Sequence, residues 1–135
     1  MEKNCKICFI DDDPIYKMFM KRVIEMNNLV PKINVTSFDD GDQAYNFINK
    51  NKQNPEELPD VILLDINMPV MDGFQFIEEY SKIKPKINKQ IAVFMVTSSI
   101  DPSDMERSKK FSEISDYITK PVPLEKLKHI IGSFG

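Results

Sequence analysis

Five short apolar runs, separated by longer stretches with helical spacing, constrain the fold of this chain more than any other feature. The runs are Ile7–Ile10, Ile33–Phe38, Val61–Leu64, Ile91–Val96 and, weakly, Tyr117–Ile118. Three of these runs are continuously apolar, which is typical of strands buried on both faces in a parallel sheet covered by helices. Five strands alternating with five helices predict an α/β domain of three layers.

Apolar residues at helical spacing predict which faces the helices bury. The stripes are Ile15, Met18, Phe19, Val23 and Met26; Ala44, Phe47 and Ile48; Phe74, Ile77 and Tyr80; and Leu124, Leu127, Ile130, Ile131 and Phe134. The more polar segment 101–111 is predicted to form the remaining helix. It begins with Asp101 as N-cap and Pro102 at the first helical position. Met105 and Phe111 are expected to face inward.

The composition limits the classes of function. With 41% apolar and 29% charged residues, the 135 residues are typical of one globular domain, expected to span residues 1–135. A net charge of −3 gives no general attraction to nucleic acid or to an anionic membrane. The longest apolar run, Ile91–Val96, is too short to span a bilayer, and no secretory signal is visible. We therefore expect a cytoplasmic protein with neither nucleic-acid nor membrane partners. The polar segments Asn49–Pro59 and Lys84–Gln90 are predicted to be surface loops.

Cys5 and Cys8 form a Cys-x-x-Cys motif, which occurs in zinc and redox sites. The chain has no second cysteine pair to complete a zinc site. Both cysteines lie in the first apolar segment, where an odd spacing on a strand places them on opposite faces. We predict two small apolar side chains that are buried or half-buried.

Polar residues follow the apolar runs at the points where the strands end. They are Asp11, Asp12 and Asp13 after the first run, Asp65 after the third, Thr97 and Ser98 after the fourth, and Lys120 after the fifth. The carboxyl ends of parallel strands lie at one edge of a sheet. In the order 2-1-3-4-5, ligands bind at the reversal of winding between strands 1 and 3. The sequence therefore predicts a pocket with several carboxylates, one hydroxyl and one ammonium group.

The chemistry of this pocket favours phosphoryl transfer. Carboxylates held close together repel each other, so one is protonated or a cation binds among them. Oxygen ligands with places left for water suit Mg²⁺. A divalent ion and a lysine beside a further carboxylate neutralise phosphoryl oxygens, and that carboxylate can act as nucleophile. Each residue alone is explained as a turn former, helix cap or solvated charge, but their convergence on one edge favours a functional site.

These residues resemble the receiver domain of two-component response regulators, over about residues 3–134. The resemblance rests on Asp11-Asp12-Asp13, Asp65-Ile66-Asn67-Met68-Pro69 with Asp72-Gly73, Thr97-Ser98, and Tyr117-Ile118-Thr119-Lys120-Pro121. It implies a flavodoxin-like fold, and because a receiver would use nearly all of the 135 residues we expect the stand-alone type. Two departures concern the loop 111–116, which lacks the Gly-Ala of many receivers, and Val122, where a larger side chain is common.

The resemblance implies a role for each site residue. Asp65 is the expected phospho-acceptor and a metal ligand. Asp12 is expected to bind Mg²⁺ directly, Asp11 through water, and Asn67 through its backbone carbonyl. Thr97 and Lys120 are expected to contact the phosphoryl oxygens.

Further roles concern switching. Thr97 and Tyr117 match the pair that moves together in the family, and Asn67 and Ser99 match positions that tune hydrolysis. The Lys120–Pro121 peptide bond matches a position that is commonly cis.

The expected function is a phosphorylation switch. A sensor histidine kinase or a histidine phosphotransfer protein donates the phosphoryl group to Asp65. The signal leaves through the surface of helix 4, strand 5 and helix 5, toward a downstream protein. In this interpretation the protein is not an enzyme for a diffusible substrate, and promotes only its own phosphorylation and dephosphorylation.

Two alternatives remain open. A haloacid-dehalogenase-type phosphatase also uses Asp, Mg²⁺, Thr or Ser, and Lys. The segment Asp11-Asp12-Asp13-Pro14-Ile15 fits the acidic pair of its Asp-x-Asp-x-Thr/Val motif but not the Thr/Val. The order also differs, since Asp65 precedes Thr97 and Lys120. The second alternative is an interaction module on the same fold that acts without phosphorylation. Such modules usually lack one or more site residues, whereas this chain has the whole set.

Overall fold

The computed structural model describes residues 4–27 and 32–132 and has the predicted three-layer α/β architecture. The strands are β1 (Asn4–Ile10), β2 (Lys32–Phe38), β3 (Val61–Leu64), β4 (Ala92–Thr97) and β5 (Ile114–Thr119). The helices are α1 (Pro14–Met26), α2 (Gly41–Lys50), α3 (Gly73–Ile83), α4 (Pro102–Ser108) and α5 (Leu124–Gly132), with a 3-10 helix at Lys84–Lys86. All strand pairs are parallel in the order β2-β1-β3-β4-β5, which confirms the flavodoxin-like prediction.

The sheet has a hydrophobic core on each face, because its central strand β3 is apolar on both sides. All four β3 residues are buried. One core contains Cys8 with residues of α2 and α3, and the other contains Cys5 with residues of α1 and α5. This confirms that the two cysteines lie on opposite faces. Burial raises the pKa of Cys5 to about 11 and that of Cys8 to about 12, so both thiols stay protonated at neutral pH.

The predicted stripe of α1 is wrong. Its members are Ile15, Met18, Phe19 and Met26, which are exposed, and Val23, which is half-buried. The helix instead buries Met20 and Ile24 against the sheet. An amphipathic pattern identifies an apolar face but does not say whether that face meets the core or the solvent. The stripes of α2, α3 and α5 are confirmed, except that Phe134 lies outside the described residues.

The two segments predicted as surface loops contain buried parts. Leu58 is fully buried in the core beneath α2 and α3. Lys89 is half-buried, and its Nζ lies 3.0 Å from Asp60 Oδ1 and 2.7 Å from the carbonyl oxygen of Leu58. Lys89 therefore joins the two loops at the amino-terminal end of the sheet.

Helix caps set how the chain leaves the carboxyl ends of the strands. Asp72 and Gln75 form a capping box at the start of α3. Gly73 is required there, because a Cβ atom on it would lie 2.3 Å from the carbonyl oxygen of Asp65. Asp101 caps α4 as predicted, but the helix ends at Ser108 and the half-buried Phe111 lies beyond it.

Candidate functional site

An acidic cluster, defined here as Asp11, Asp12 and Asp65, lies where β1 and β3 end. One carboxylate oxygen from each residue lies within 4.8 Å of the other two. Asp11 and Asp65 are buried, whereas Asp12 is exposed. The sheet places Asp65 directly, because its backbone N–H donates to the carbonyl oxygen of Ile10 at 2.9 Å. The predicted gathering of carboxylates at the winding reversal is therefore present.

Asp13, the third residue of the acidic run, is the N-cap of α1 and not part of this cluster. Its Oδ1 accepts hydrogen bonds from the backbone N–H groups of Ile15 and Tyr16, at 3.0 and 3.2 Å. Its own N–H donates to Asp11 Oδ1 at 2.9 Å. Asp13 thus starts α1 and orients Asp11, while its carboxylate is occupied by the helix.

Lys120 supplies the predicted ammonium group. Its Nζ lies 2.7 Å from Asp11 Oδ2 and 3.6 Å from Asp65 Oδ2, and its side chain is 17% exposed. The backbone N–H of Lys120 donates to the carbonyl oxygen of Thr97 at 2.8 Å, which fixes the end of β5 against β4. The Lys120–Pro121 peptide bond is cis, as predicted.

The site carries more negative than positive charge. Burial and the neighbouring Asp11 carboxylate raise the pKa of Asp65. Lys120, a hydrogen bond from Thr97 and one from the Ile66 N–H oppose this rise without cancelling it. The cluster of three carboxylates thus has Lys120 in contact with two of its members, Asp11 and Asp65.

Thr97 and Tyr117 are linked through Ser99. Thr97 is fully buried at the end of β4, and its Oγ1 accepts from the Ser99 N–H at 3.3 Å. The half-buried Tyr117 donates its hydroxyl proton to the Ser99 carbonyl oxygen at 2.9 Å. The Ser99 hydroxyl donates to Asp104 Oδ2 at 2.6 Å. The exposed Asn67 lies two residues beyond Asp65.

The acidic cluster fits Mg²⁺. It offers oxygen donors only, which a hard divalent cation prefers. Burial, and after it the Asp11 carboxylate, raise the pKa of Asp65, and a bound cation would relieve the repulsion between the two carboxylates. The exposure of Asp12 also leaves one side of the cluster open to water.

Sequence reasoning missed Tyr16, in the first turn of α1. Its ring centroid lies 4.1 Å from Nζ of Lys120. Tyrosine is neither a usual metal ligand nor charged at neutral pH, so residue type did not flag it. Its place just after the acidic run was the only available signal.

Comparisons with known proteins agree with this geometry. A family model described as the response regulator receiver domain matches residues 7–132. The two-component response regulator ARR2 of Arabidopsis thaliana is 27% identical over 127 residues, covering 94% of this chain and 17% of the relative. The sensor histidine kinase CheAY of Helicobacter pylori is 37% identical over 79 residues, covering 58% of this chain and 10% of the relative. A crystal structure of a two-component response regulator from Cytophaga hutchinsonii shares the fold, with a TM-score of 0.83 and 23% identity. The match covers 99% of this chain and 98% of the other.

The relatives are mostly longer proteins. The chain spans between 7% and 53% of the length of the first five curated relatives. No helix among residues 4–27 and 32–132 is both long and apolar enough to cross a bilayer. The matched family is the receiver family and not the haloacid-dehalogenase type, so the phosphatase alternative is set aside.

Proposed function

The chain belongs to the response regulator receiver domain family, and we propose that its Asp65 accepts a phosphoryl group from phosphohistidine on a partner protein. The observation that carries this proposal is the position of Asp65. It is a buried carboxylate held between two further carboxylates and the ammonium group of Lys120. The proposed donor is a sensor histidine kinase or a histidine phosphotransfer protein.

In the proposed reaction an Asp65 oxygen attacks phosphorus in line with the phosphorus–nitrogen bond of phosphohistidine. A P–O bond forms, the P–N bond breaks, and its electron pair stays on the imidazole nitrogen of the donor. The Ile66 N–H holds Asp65 Oδ1 at 2.8 Å and so fixes the orientation of the carboxylate. Lys120 and the Thr97 hydroxyl are the proposed partners of the phosphoryl oxygens as negative charge builds on them.

Asp12 and Asp65 are the proposed direct ligands of Mg²⁺, with the backbone carbonyl of Asn67, while Asp11 acts through water. Bound Mg²⁺ supplies positive charge that offsets the phosphoryl oxygens. The chain's own contribution is to hold these oxygen donors together despite their repulsion. Lys120 reduces that repulsion through its 2.7 Å contact with Asp11.

An apolar patch on α1 supports a docking role for this helix in phosphotransfer. Ile15, Met18, Phe19 and Met26 are between 59% and 74% exposed. Large apolar side chains grouped on a soluble surface mark interaction sites. Because α1 begins next to the acidic cluster, a donor protein that reaches Asp65 can bury this patch. The variant Phe19→Lys should slow transfer from such a protein but not from a small acyl phosphate.

The switch belongs to the same proposal. Ser99 connects Thr97 to Tyr117 through two hydrogen bonds, so a movement of Thr97 toward a phosphoryl group is passed on to Tyr117. Tyr117 lies in β5, next to α4, and a change in its position alters the surface of α4, β5 and α5. This surface is the proposed contact for the downstream protein.

The proposed chemistry is limited to the protein itself. Asp65 takes up the phosphoryl group and releases it to water, and no diffusible substrate is turned over. Asn67 and Ser99 are proposed to tune the release. The proposed location of this activity is the cytoplasm.

Intact-mass measurement after incubation with Mg²⁺ and acetyl phosphate tests the proposal. The wild-type protein should gain a single phosphoryl adduct, and Asp65→Asn should gain none. Asp60→Asn, which alters a carboxylate at the opposite end of the sheet, is the matched control and should still gain the adduct. An adduct on Asp65→Asn, or none on wild type, contradicts the proposal. The absence of an adduct on the wild-type protein would instead favour the interaction module that acts without phosphorylation.

A further inference from the structure

Tyr16 lies against the one lysine of the site. Its ring centroid is 4.1 Å from Nζ of Lys120, a distance at which a cation interacts favourably with an aromatic face. The residue is half-buried and packs against the core formed by α1, α5 and the sheet. Tyr16 therefore packs against this core while the face of its ring contacts the ammonium group of Lys120.

Lys120 needs such a contact to be well placed. A lysine side chain loses considerable rotamer freedom when it is fixed, and its ammonium group is strongly hydrated. Its carboxylate contacts are unequal, at 2.7 Å to Asp11 and 3.6 Å to Asp65. The closer partner of Nζ is therefore Asp11 and not Asp65, the proposed phospho-acceptor. The Tyr16 ring limits the freedom of the ammonium group on a further side and excludes water from it.

The hydroxyl group of Tyr16 does not explain its presence. Within residues 4–27 and 32–132, the Tyr16 hydroxyl oxygen is the single buried side-chain polar atom without a hydrogen-bond partner. Burying an unpaired hydroxyl costs free energy, so the favourable contact must come from the ring. Burial, Asp11 and Asp65 raise the pKa of Tyr16, and the hydroxyl therefore stays protonated and the ring uncharged at neutral pH.

We propose that Tyr16 is a positioning residue whose ring holds the ammonium group of Lys120 beside Asp65 and thereby speeds phosphorylation. This role rests on the proposed function, because it acts on the same site. It assigns the effect to the aromatic face and not to the hydroxyl group, and it requires that Tyr16 act through Lys120.

The first experiment measures the contact itself in the unphosphorylated protein. Proton resonances of the Lys120 Cε methylene should show an upfield ring-current shift in wild type and in Tyr16→Phe. The shift should disappear in Tyr16→Leu, and in Tyr16→Met as a second variant if the first folds poorly. An unshifted Lys120 resonance in wild type overturns the proposal, whatever the phosphorylation results are.

The second experiment measures the rate of phosphorylation by acetyl phosphate with Mg²⁺. Tyr16→Leu should react roughly five- to tenfold more slowly than wild type. Tyr16→Phe should stay within about twofold of wild type, since it keeps the ring face toward the cation. Tyr45→Leu, at a half-buried tyrosine of α2, is the matched control and should not change the rate. A large loss in Tyr16→Phe would assign the effect to the hydroxyl and overturn the proposal.

A double-mutant cycle separates positioning from packing. If Tyr16 acts through Lys120, Tyr16→Leu should cause no additional slowing in a Lys120→Met background. The same slowing in both backgrounds would mean a structural role independent of Lys120. If wild type accepts no phosphoryl group, the proposed function fails and this role fails with it, while the ring-current shift still decides whether the contact exists.

Discussion

The two ends of the sheet each hold a half-buried lysine paired with a carboxylate, and the difference between them separates a site from a structural contact. At the amino end, Lys89 pairs with Asp60 at 3.0 Å and also donates to the carbonyl oxygens of Leu58 and Pro55. Asp60 accepts a further bond from the Lys6 N–H at 2.8 Å. At the carboxyl end, Lys120 contacts Asp11 and Asp65, two of the three carboxylates of the acidic cluster.

Burial does not distinguish the two lysines, since the side chain of Lys89 is 20% exposed and that of Lys120 is 17% exposed. What differs is the charge balance. The Lys89–Asp60 pair at the amino end has one charge of each sign and further hydrogen bonds to both partners. The acidic cluster beside Lys120 has three carboxylates and so a surplus of negative charge, and burial raises the pKa of Asp65 within it. A surplus of this kind is a reason to bind a cation.

Replacing each lysine by methionine is the strongest test of this comparison. Lys120→Met should slow phosphorylation by acetyl phosphate roughly 100- to 1,000-fold, because it removes a preorganised positive charge from the phosphoryl oxygens. Lys89→Met should leave that rate unchanged and instead lower the free energy of unfolding by about 1–3 kcal/mol, because it leaves polar partners unpaired. The rates are measured by intact mass and the stabilities by urea unfolding. Equal effects of the two variants on the rate would refute the distinction.

Mg²⁺ should stabilise the protein through the carboxyl end only. At a free concentration one hundred times its Kd, a ligand that binds only the folded state adds about 2.7 kcal/mol to the free energy of unfolding. Asp12→Ala should lose most of this increment, and Asp60→Asn should keep it. Urea unfolding with and without Mg²⁺ measures both. An increment that survives in Asp12→Ala would place the ion elsewhere.

The pH dependence of stability should differ in sign between two aspartates. The pKa of Asp65 is raised on folding. Its stabilising contribution to the free energy of unfolding is therefore full below the unfolded pKa and is lost as pH rises through the folded pKa. In Mg²⁺-free buffer, Asp65→Asn should therefore gain stability relative to wild type as pH rises. Asp116 is the matched control, since a hydrogen bond from Lys126 lowers its pKa. Asp116→Asn should lose stability relative to wild type as pH rises, and the same sign for both variants would be inconsistent with these shifts.

Backbone strain is a smaller difference between the two ends. Val70 lies in the loop between β3 and α3 at the carboxyl end and has φ of 67°. Within the described ranges, it is the single non-glycine residue with positive φ. A β-branched residue is unfavourable in that conformation, which asparagine tolerates. Val70→Asn should raise the free energy of unfolding by up to about 1 kcal/mol. Ile100→Asn, at another exposed apolar residue, should have no such effect, and equal gains would mean that lost surface apolarity is the cause.

The sequence predicted the parts of the site that the backbone alone positions. Asp11, Asp65 and Lys120 each follow a strand and Thr97 ends one, and parallel strands bring their carboxyl ends to one edge. No side-chain packing has to be known for that inference. The burial of both faces of β3 followed from its continuous apolar run, whereas the strand order belongs to the flavodoxin-like fold that the resemblance to receivers implied.

The failures concern contacts that only tertiary packing decides. Met18 and Phe19 form an apolar stripe as regular as a core stripe, but α1 turns Met20 and Ile24 toward the sheet. Lys89 lies in a basic segment, and its pairing with Asp60 depends on two loops meeting. Tyr16 contacts Lys120 across a sequence separation that no local pattern reports.

The position of the phosphoryl group tests the central claim most directly. After phosphorylation with acetyl phosphate and Mg²⁺, borohydride reduces an aspartyl phosphate to homoserine, which peptide mass mapping then locates. We predict homoserine at residue 65 and at no other aspartate. Homoserine at Asp11 or Asp12 would contradict the assignment of the phospho-acceptor, and so would a modified protein without homoserine.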